Sequence, residues 1–316
     1  MADADVTAGP RGARGGALSG DRPFLGVMLM LAFCALAPGG DALAKLIGDR
    51  MPLGQVVLVR FALQAAILAP LALALGAEMR LSRRVLALTA LRTVVHIAAV
   101  AVFFLALRAL PLADAVAIAF VMPFVMLLLG RVFLGERAGT RRLLACAVGF
   151  AGTLMVIRPS FAEVGAAALL PLVTALLFAL FMLTTRAIAR EADPIALQAA
   201  SGAMGAAMLA PILLLADRAG PPGLGFAAAP AEVWALLLAL GLLGTVAHLL
   251  MTWSLRFAPA TTLAPMQYLE IPFATLIGFL VFGDLPDGMA AAGIAVTVAA
   301  GLYVIHRERR AGAAAA

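Results

Sequence analysis

The chain has 316 residues, of which 64% are hydrophobic and 13% charged, and its formal net charge is +6. A water-soluble domain could not cover this much apolar surface with so few polar side chains, so the composition excludes a soluble globular fold and predicts a polytopic membrane protein. The basic residues lie between apolar segments and do not gather on one surface with aromatic residues, which argues against a nucleic-acid partner.

The N-terminal residues 1–22 are rich in Ala, Gly and Asp and lack hydrophobic periodicity, which predicts a disordered tail. Residues 24–37 resemble the apolar region of a signal peptide ending in "ALA". Because Pro38 would follow the cleavage position and the apolar segment continues beyond it, we expect this stretch to be retained as a first membrane helix.

Ten apolar segments of about 20 residues follow one another, bounded by charged residues or by Gly/Pro clusters. They cover residues 24–47, 53–76, 85–108, 111–134, 141–158, 165–186, 195–216, 232–256, 260–283 and 287–305. Only helices and closed barrels satisfy the backbone in lipid, and these segments are too long and too uniformly apolar for barrel strands. The predicted fold class is therefore an all-α integral membrane protein with ten transmembrane helices.

Polar side chains inside the first three helices are candidate functional residues, because a charge at membrane depth is costly and needs a partner. Asp41 and Lys45 have the i, i+4 spacing of an ion pair, and Arg60 of the second helix could instead neutralise Asp41. We expect Asp41, Lys45 and Arg60 to form a gate or a structural ion pair toward the outer end. The third helix carries Arg92 and His96 in its inner half and near its middle.

The eighth and ninth helices add a second group of polar side chains. His248 lies on the eighth helix, and the ninth contains "PMQYLEIP" at residues 265–272, with Gln267, Tyr268 and Glu270. At about 100° per residue, Gln267 and Glu270 lie about 60° apart on a helical wheel, whereas Tyr268 is about 160° from Glu270. Tyr268 would join the other two only if the prolines at the ends of this stretch distort the helix.

The flanking basic residues are distributed asymmetrically. With the N-terminus inside, sixteen lie on the inner side: Arg11, Arg14, Arg22, Arg80, Arg83, Arg84, Arg131, Arg137, Arg141, Arg142, Arg186, Arg190, Arg256, Arg307, Arg309 and Arg310. Four lie on the outer side: Arg50, Arg108, Arg158 and Arg218. This distribution predicts a protein of the cell inner membrane with both termini in the cytoplasm.

The sequence repeats itself with an offset of 148 residues. "LRALP" at 107–111 matches "LRFAP" at 255–259, and "FLGE" at 133–136 matches "VFGD" at 281–284. The predicted organisation is a first repeat at 23–158, a second at 165–308 and a cytoplasmic tail at 309–316. Because each repeat has five helices, the second must enter the membrane from the opposite side. Inverted repeats of this kind are typical of alternating-access transporters, whose substrate site lies near the midplane between the halves.

Ten helices in two groups of five, with "P…P…G…FLGE" ending the fourth and "P…G…VFGDLPD" ending the ninth, resemble the drug/metabolite transporter superfamily of the EamA-domain type. The resemblance covers about residues 24–308. It implies two inverted EamA-like repeats and secondary transport of a small polar or amphipathic solute. The family includes amino-acid exporters and importers of riboflavin or S-adenosylmethionine, so the resemblance does not identify the substrate. Asp284 stands where the pattern has Glu, a mild departure at a helix end.

The repeat also organises the candidate site. The third and eighth helices are repeat partners, so His96 and His248 should lie across one central axis, in a cavity shared with Arg92, Gln267 and Glu270. Each histidine could equally be an interhelical hydrogen-bond partner. Glu270 is the favoured functional residue, because the first repeat carries Met122 at the matching position. No cation lies within one turn of Glu270, so the carboxyl is either protonated or paired with Arg92, a histidine or a cationic group of the substrate.

Two other classes of function remain as alternatives. An intramembrane serine hydrolase would use Ser201 in "AASGAMG" with His248 as its base. A passive channel would need a ring of repeated charges or a filter-like sequence, and neither is evident. The sequence contains no Gly-rich phosphate loop and no metal-ligand cluster, so we expect no cofactor and no bound metal. The expected partners are a small-molecule substrate and the lipid bilayer, and a homodimer is an alternative to a monomer.

Overall fold

The structure is a computed structural model that describes residues 22–109, 118–136, 139–157, 165–219, 225–283 and 287–313. Secondary structure in these ranges is helical throughout, without strands. The helices are α1 (Pro23–Ile47), α2 (Leu53–Ala74), α3 (Arg83–Ala109), α4 (Met122–Phe133), α5 (Thr140–Ile157), α6 (Leu169–Ile188), α7 (Pro194–Ala219), α8 (Ala231–Phe257), α9 (Ala260–Phe282) and α10 (Gly288–Ala313). Short 3₁₀ turns occupy Gly48–Arg50 and Gly165–Ala168.

Eight of the described helices, all except α4 and α5, are long and apolar enough to cross a membrane. The 12-residue α4 is shorter than the predicted segment 111–134, of which residues 111–117 lie outside the described ranges. The all-helical membrane fold is therefore confirmed, while ten spans in two inverted repeats stay a prediction. Residues 309–313, which belong to the predicted cytoplasmic tail, are helical and continue α10.

The most extensive helix packing joins the first five helices to the last five. The pairs are α1 with α8, α2 with α7, α3 with α6, and α5 with α10. If each helix is exchanged for the helix five positions away in the chain, the pair of α1 with α8 becomes the pair of α6 with α3. The pairs of α2 with α7 and of α5 with α10 stay the same. This pattern is the one expected if the two halves are related by a pseudo-two-fold axis.

Glycines permit direct backbone contact in the two pairs that this exchange leaves unchanged. A Cβ added to Gly202 of α7 would lie 2.7 Å from the Ala65 nitrogen and 2.9 Å from the Phe61 oxygen of α2. In α5, a Cβ on Gly152 would lie 2.8 Å from the Gly293 oxygen of α10. Small residues at these crossings let the helices approach closely, which is how helices gain packing energy in lipid.

A change of helix type divides α9. An α-helical turn at Ala260–Leu263 leads into a 3₁₀ segment at Ala264–Leu269, and an α-helix runs from Glu270 to Phe282. Pro265 lies at the start of the 3₁₀ segment and Pro272 lies in the first turn of the second α-helix, where the missing N–H is tolerated. Glu270 is thus the first residue of that helix, as Met122 is the first residue of α4.

Candidate functional site

Arg92 of α3 is among the largest fully buried side chains of the described residues, with 1% of its surface exposed. Its Nη2 donates a hydrogen bond to Oε1 of Gln198 on α7 at 2.9 Å, and its guanidinium carbon lies 5.0 Å from the ring centre of Phe181 on α6. Nε and Nη1 have no hydrogen-bond partner among the described residues. The guanidinium, carried by a helix of the first half, is therefore held in place by residues of the second half and retains unused buried donors.

Gln198 is the residue that sequence reasoning did not place in the site. Its Nε2 donates to the His248 oxygen at 2.8 Å and to Thr252 Oγ1 at 2.9 Å. Gln64 Nε2 of α2 donates to the Gln198 backbone oxygen at 2.6 Å and to its Oε1 at 3.2 Å. These bonds orient the amide with Oε1 toward Arg92. The only sequence signal was a stripe of polar and small residues on α7.

The two histidines predicted to meet across the repeat axis do come together. The ring centres of His96 and His248 are 5.0 Å apart, and the His96 ring stacks on Phe181 at 4.4 Å. His248 Nδ1 lies 2.9 Å from the Gly244 oxygen. A carbonyl oxygen only accepts hydrogen bonds, so Nδ1 carries the hydrogen, and Nε2 of the neutral ring remains an acceptor.

Asp41, Arg60 and Glu270 form a second charged group next to the histidines. Asp41 interacts electrostatically with both Arg60 and Glu270, and Arg60 interacts with both histidines. The Asp41 side chain is exposed, whereas Arg60 and Glu270 are half-buried. A narrow cleft lined by Arg60, Gln64, His96, Gly244 and Thr245 lies between the two groups, and its water-accessible volume of about 10 Å³ holds about one water molecule.

Lys45 does not form the expected ion pair with Asp41. Its Nζ lies 4.0 Å from the ring centre of Phe282 on α9, and the ion pairs of the described residues do not include Lys45 with Asp41. The cation–π contact explains the difference, because it draws the ammonium group toward α9. Asp41 and Arg60 likewise interact electrostatically, but an ion pair of 4.0 Å or less between them is not among those of the described residues.

Gln267 and Tyr268 contact different neighbours from those of Glu270. Gln267 Nε2 donates to Met126 Sδ of α4 at 3.3 Å, and Tyr268 Oη donates to the Phe120 oxygen at 3.1 Å. Both side chains are buried in the apolar core. The wheel places Gln267 and Glu270 on neighbouring faces, yet Gln267 packs against Met126 of α4 while Glu270 interacts with Asp41 of α1.

Glu136, the acidic residue of "FLGE", positions the helix that carries Glu270. Its Oε1 and Oε2 accept hydrogen bonds from the backbone nitrogens of Ala260 and Thr261 at 3.0 and 2.8 Å. Arg186 Nε of α6 lies 3.4 Å from the same carboxylate. A carboxylate at unpaired N–H groups is favourable at a helix N-terminus, so this motif anchors the start of α9.

The site thus contains ionisable groups from both halves of the chain that lie near one another. Not all of them are paired with a group of opposite charge. The hydrogen bonds and ion pairs of the described residues do not include the Glu270 side chain, and Arg92 has a neutral amide as its acceptor. Ionisable groups in this condition inside a membrane protein mark ligand sites or proton paths. Groups of three or more His, Cys, Asp or Glu suited to a metal ion do not occur in the described ranges.

The sequence pattern of the EamA-like transporter family matches residues 24–158 and 165–306. The riboflavin transporter of Rhizobium johnstonii is 33% identical over 206 residues, which are 65% of this chain and 65% of that protein. The riboflavin transporter of Brucella anthropi is 29% identical over 222 residues, 70% of this chain and 77% of that protein. The S-adenosylmethionine uptake transporter of Rickettsia bellii is 24% identical over 209 residues, 64% and 66% of the two chains.

A protein of known crystal structure superposes on this chain with a TM-score of 0.70 and 19% sequence identity. The superposition covers 91% of this chain and 97% of the other, so the two share a fold.

Proposed function

Because the chain belongs to the EamA-like transporter family, we propose that it is a secondary active transporter that moves a small organic metabolite across the inner membrane by alternating access. The observation that carries the proposal is the placement of Arg60, Arg92, His96, His248 and Glu270. These residues come from both halves of the chain and meet between them. A substrate bound there contacts both halves and is released when they move apart.

The substrate is an amino acid, a vitamin, a nucleoside-like solute or a drug. Two similar proteins are named for riboflavin and one for S-adenosylmethionine, and both compounds combine a planar heterocycle with a polar chain. Aromatic rings beside the histidines suit such a compound. Phe61 lies 5.5 Å and Phe178 6.1 Å from the His96 ring, and Phe33 lies 6.3 Å from the His248 ring.

Glu270 is the proposed proton-coupling or substrate-binding residue. An ion pair of the Glu270 carboxylate is not among those of the described residues. A lone carboxylate is costly at membrane depth, so it takes up a proton or pairs with a cationic group of the substrate. Exchange of that proton or cation between the two sides would couple substrate movement to a gradient.

Flux measurements in proteoliposomes test this role, with riboflavin and S-adenosylmethionine as probes. We expect an imposed proton gradient to change the initial rate of the wild type, and Glu270→Gln to lose that response. Glu232→Gln is the matched control, because Glu232 is exposed and pairs with Arg50 at 2.7 Å, away from the site. Unchanged flux under the gradient, together with wild-type behaviour of Glu270→Gln, would exclude a coupling role.

The contacts of Ser201 do not favour the serine hydrolase. Ser201 Oγ lies 2.7 Å from Thr93 Oγ1 and is buried, while His248 Nδ1 bonds the Gly244 oxygen. A nucleophile needs its base within hydrogen-bond reach, and these two residues do not have that relation. Single-channel currents across a planar bilayer would instead favour the passive channel over a carrier.

A further inference from the structure

The unused donors of Arg92 point to a chemical group on the substrate. Resting on the transport function proposed above, we propose that the substrate carries an oxyanion, a carboxylate or a phosphate, that binds the guanidinium of Arg92. Several other described arginines have a carboxylate partner, which Arg92 lacks. Arg50 pairs with Glu232, Arg84 with Glu191 and Arg186 with Glu136.

A carboxylate partner for Arg92 is not among the ion pairs of the described part of the chain. Glu270 interacts with Asp41 of α1, and an ion pair of Glu270 with Arg92 is likewise not among those of the described residues. An arginine remains charged in proteins, and an uncompensated buried charge is strongly unfavourable. The charge is therefore best explained by a counter-ion that arrives with the substrate.

The surroundings of Arg92 hold the guanidinium without neutralising it. The Gln198 amide is neutral, and its orientation is fixed by Thr252, by the His248 oxygen and by Gln64. Phe181 covers the guanidinium at 5.0 Å and adds a cation–π contact, which also leaves the positive charge in place. A preorganised, desolvated guanidinium forms strong charge-assisted hydrogen bonds with carboxylate and phosphate oxygens.

The position of Arg92 fits a substrate group that contacts both halves. Arg92 belongs to α3 of the first half, while its contacts Gln198 and Phe181 belong to α7 and α6 of the second. His96, which stacks on the same Phe181 ring, lines the cleft. A substrate whose anion binds Arg92 would therefore extend past the His96 ring toward the cleft, which must widen to admit it.

Two pairs of probes, each differing by one oxyanion, test the proposal in binding assays on protein in proteoliposomes. Riboflavin 5′-phosphate is compared with riboflavin, and S-adenosylmethionine with decarboxylated S-adenosylmethionine. We expect the anionic member of at least one pair to bind about tenfold more tightly to the wild type, the typical effect of a hydrogen bond to a charged group. The pair that shows the preference distinguishes phosphate from carboxylate.

Two substitutions of Arg92 test whether this residue causes the tighter binding of the anionic probe. Arg92→Gln should abolish it, Arg92→Lys should keep part of it, and Arg50→Gln, a change at an exposed arginine, should leave it intact. Monodisperse elution of each variant in detergent shows that it is folded, and the wild-type comparison needs no variant. Equal binding within both pairs, a preference that persists in Arg92→Gln, or no binding of any probe would overturn the proposal.

Failure of this proposal is distinguishable from failure of the transport function. Flux of a probe without any preference for its anionic form would overturn only the oxyanion assignment. An Arg92-dependent preference in binding, with no flux of either member of the pair, would instead contradict transport and leave the binding site in place.

Discussion

Gln198 holds its side-chain amide between helices of both halves, with bonds to Gln64, Arg92 and Thr252. Sequence reasoning identified Arg92 as a candidate because charged residues inside apolar helices are conspicuous. It could not identify the acceptor, since a helical wheel gives the face of a residue and not the helix against which that face packs. That choice depends on tertiary packing of α7 against α2 and α3.

The contact between Arg92 and Gln198 makes a testable prediction about stability. Gln198→Met should lower the free energy of unfolding by about 1–3 kcal/mol, because it removes the acceptor of a buried charged donor. Adding Arg92→Met should restore much of the loss, since the double variant no longer buries an unpaired charge.

Thermal or denaturant unfolding of the four proteins of this double-mutant cycle in detergent measures the coupling. Strictly additive effects of the two substitutions would show that the side chains do not interact.

Glu270 was predicted as the exceptional acid because its repeat counterpart is Met122, and both residues do begin a helix in the structure. Its neighbour was not predictable. Sequence position placed Asp41 toward the outer end and Glu270 near the middle, yet the two carboxylates interact. Depth estimated along separate helices takes no account of helix tilt or of the 3₁₀ segment that precedes Glu270.

At the scale of helices, local signals predicted local features. Pro265 and Pro272, whose possible distortion of the ninth helix was visible in the sequence, lie at the start of the 3₁₀ segment and just after its end, because each ring removes a backbone donor. The spacing of Asp41 and Lys45 failed as a predictor, because the Phe282 ring of a distant helix binds the lysine. Local chemistry thus fixes the conformation of an element, whereas the partner of a long side chain depends on the neighbouring element.

The surroundings of two glycines predict opposite effects when each is replaced by alanine. Gly202→Ala places a methyl group within 3 Å of the α2 backbone and should cost about 1–3 kcal/mol of stability through overpacking. Gly278→Ala in α9 meets no atom within 4 Å and should be neutral or stabilising, since alanine favours helices.

Melting temperatures of the two variants in detergent test this difference. A Gly202→Ala protein as stable as Gly278→Ala would contradict the direct backbone contact of α2 with α7.

At the scale of the whole molecule, the sequence predicts an orientation that follows from the distribution of arginines. The loop after α2 contains Arg80 and should lie in the cytoplasm, while the start of α8 should lie outside. Glu78 and Glu232 are exposed in these two places. The native Cys34 and Cys146 are buried, so they contribute little background to thiol labelling.

Labelling with a membrane-impermeant maleimide tests the orientation. On intact cells stripped of their outer membrane, Glu232→Cys should react and Glu78→Cys should not. On inside-out vesicles the pattern should reverse. Reaction of both positions from one side would contradict the inverted arrangement of the two halves.

The packing of α2 on α7 and of α5 on α10 has a consequence for assembly. Each of these pairs joins a helix to its own counterpart, so the same contacts would form between two identical five-helix chains inserted in opposite directions. Covalent connection of the halves creates none of these interfaces. If the two repeats are inverted as the sequence predicts, the connection ensures one copy of each orientation, which frees either half to acquire residues, such as Glu270, that the other lacks.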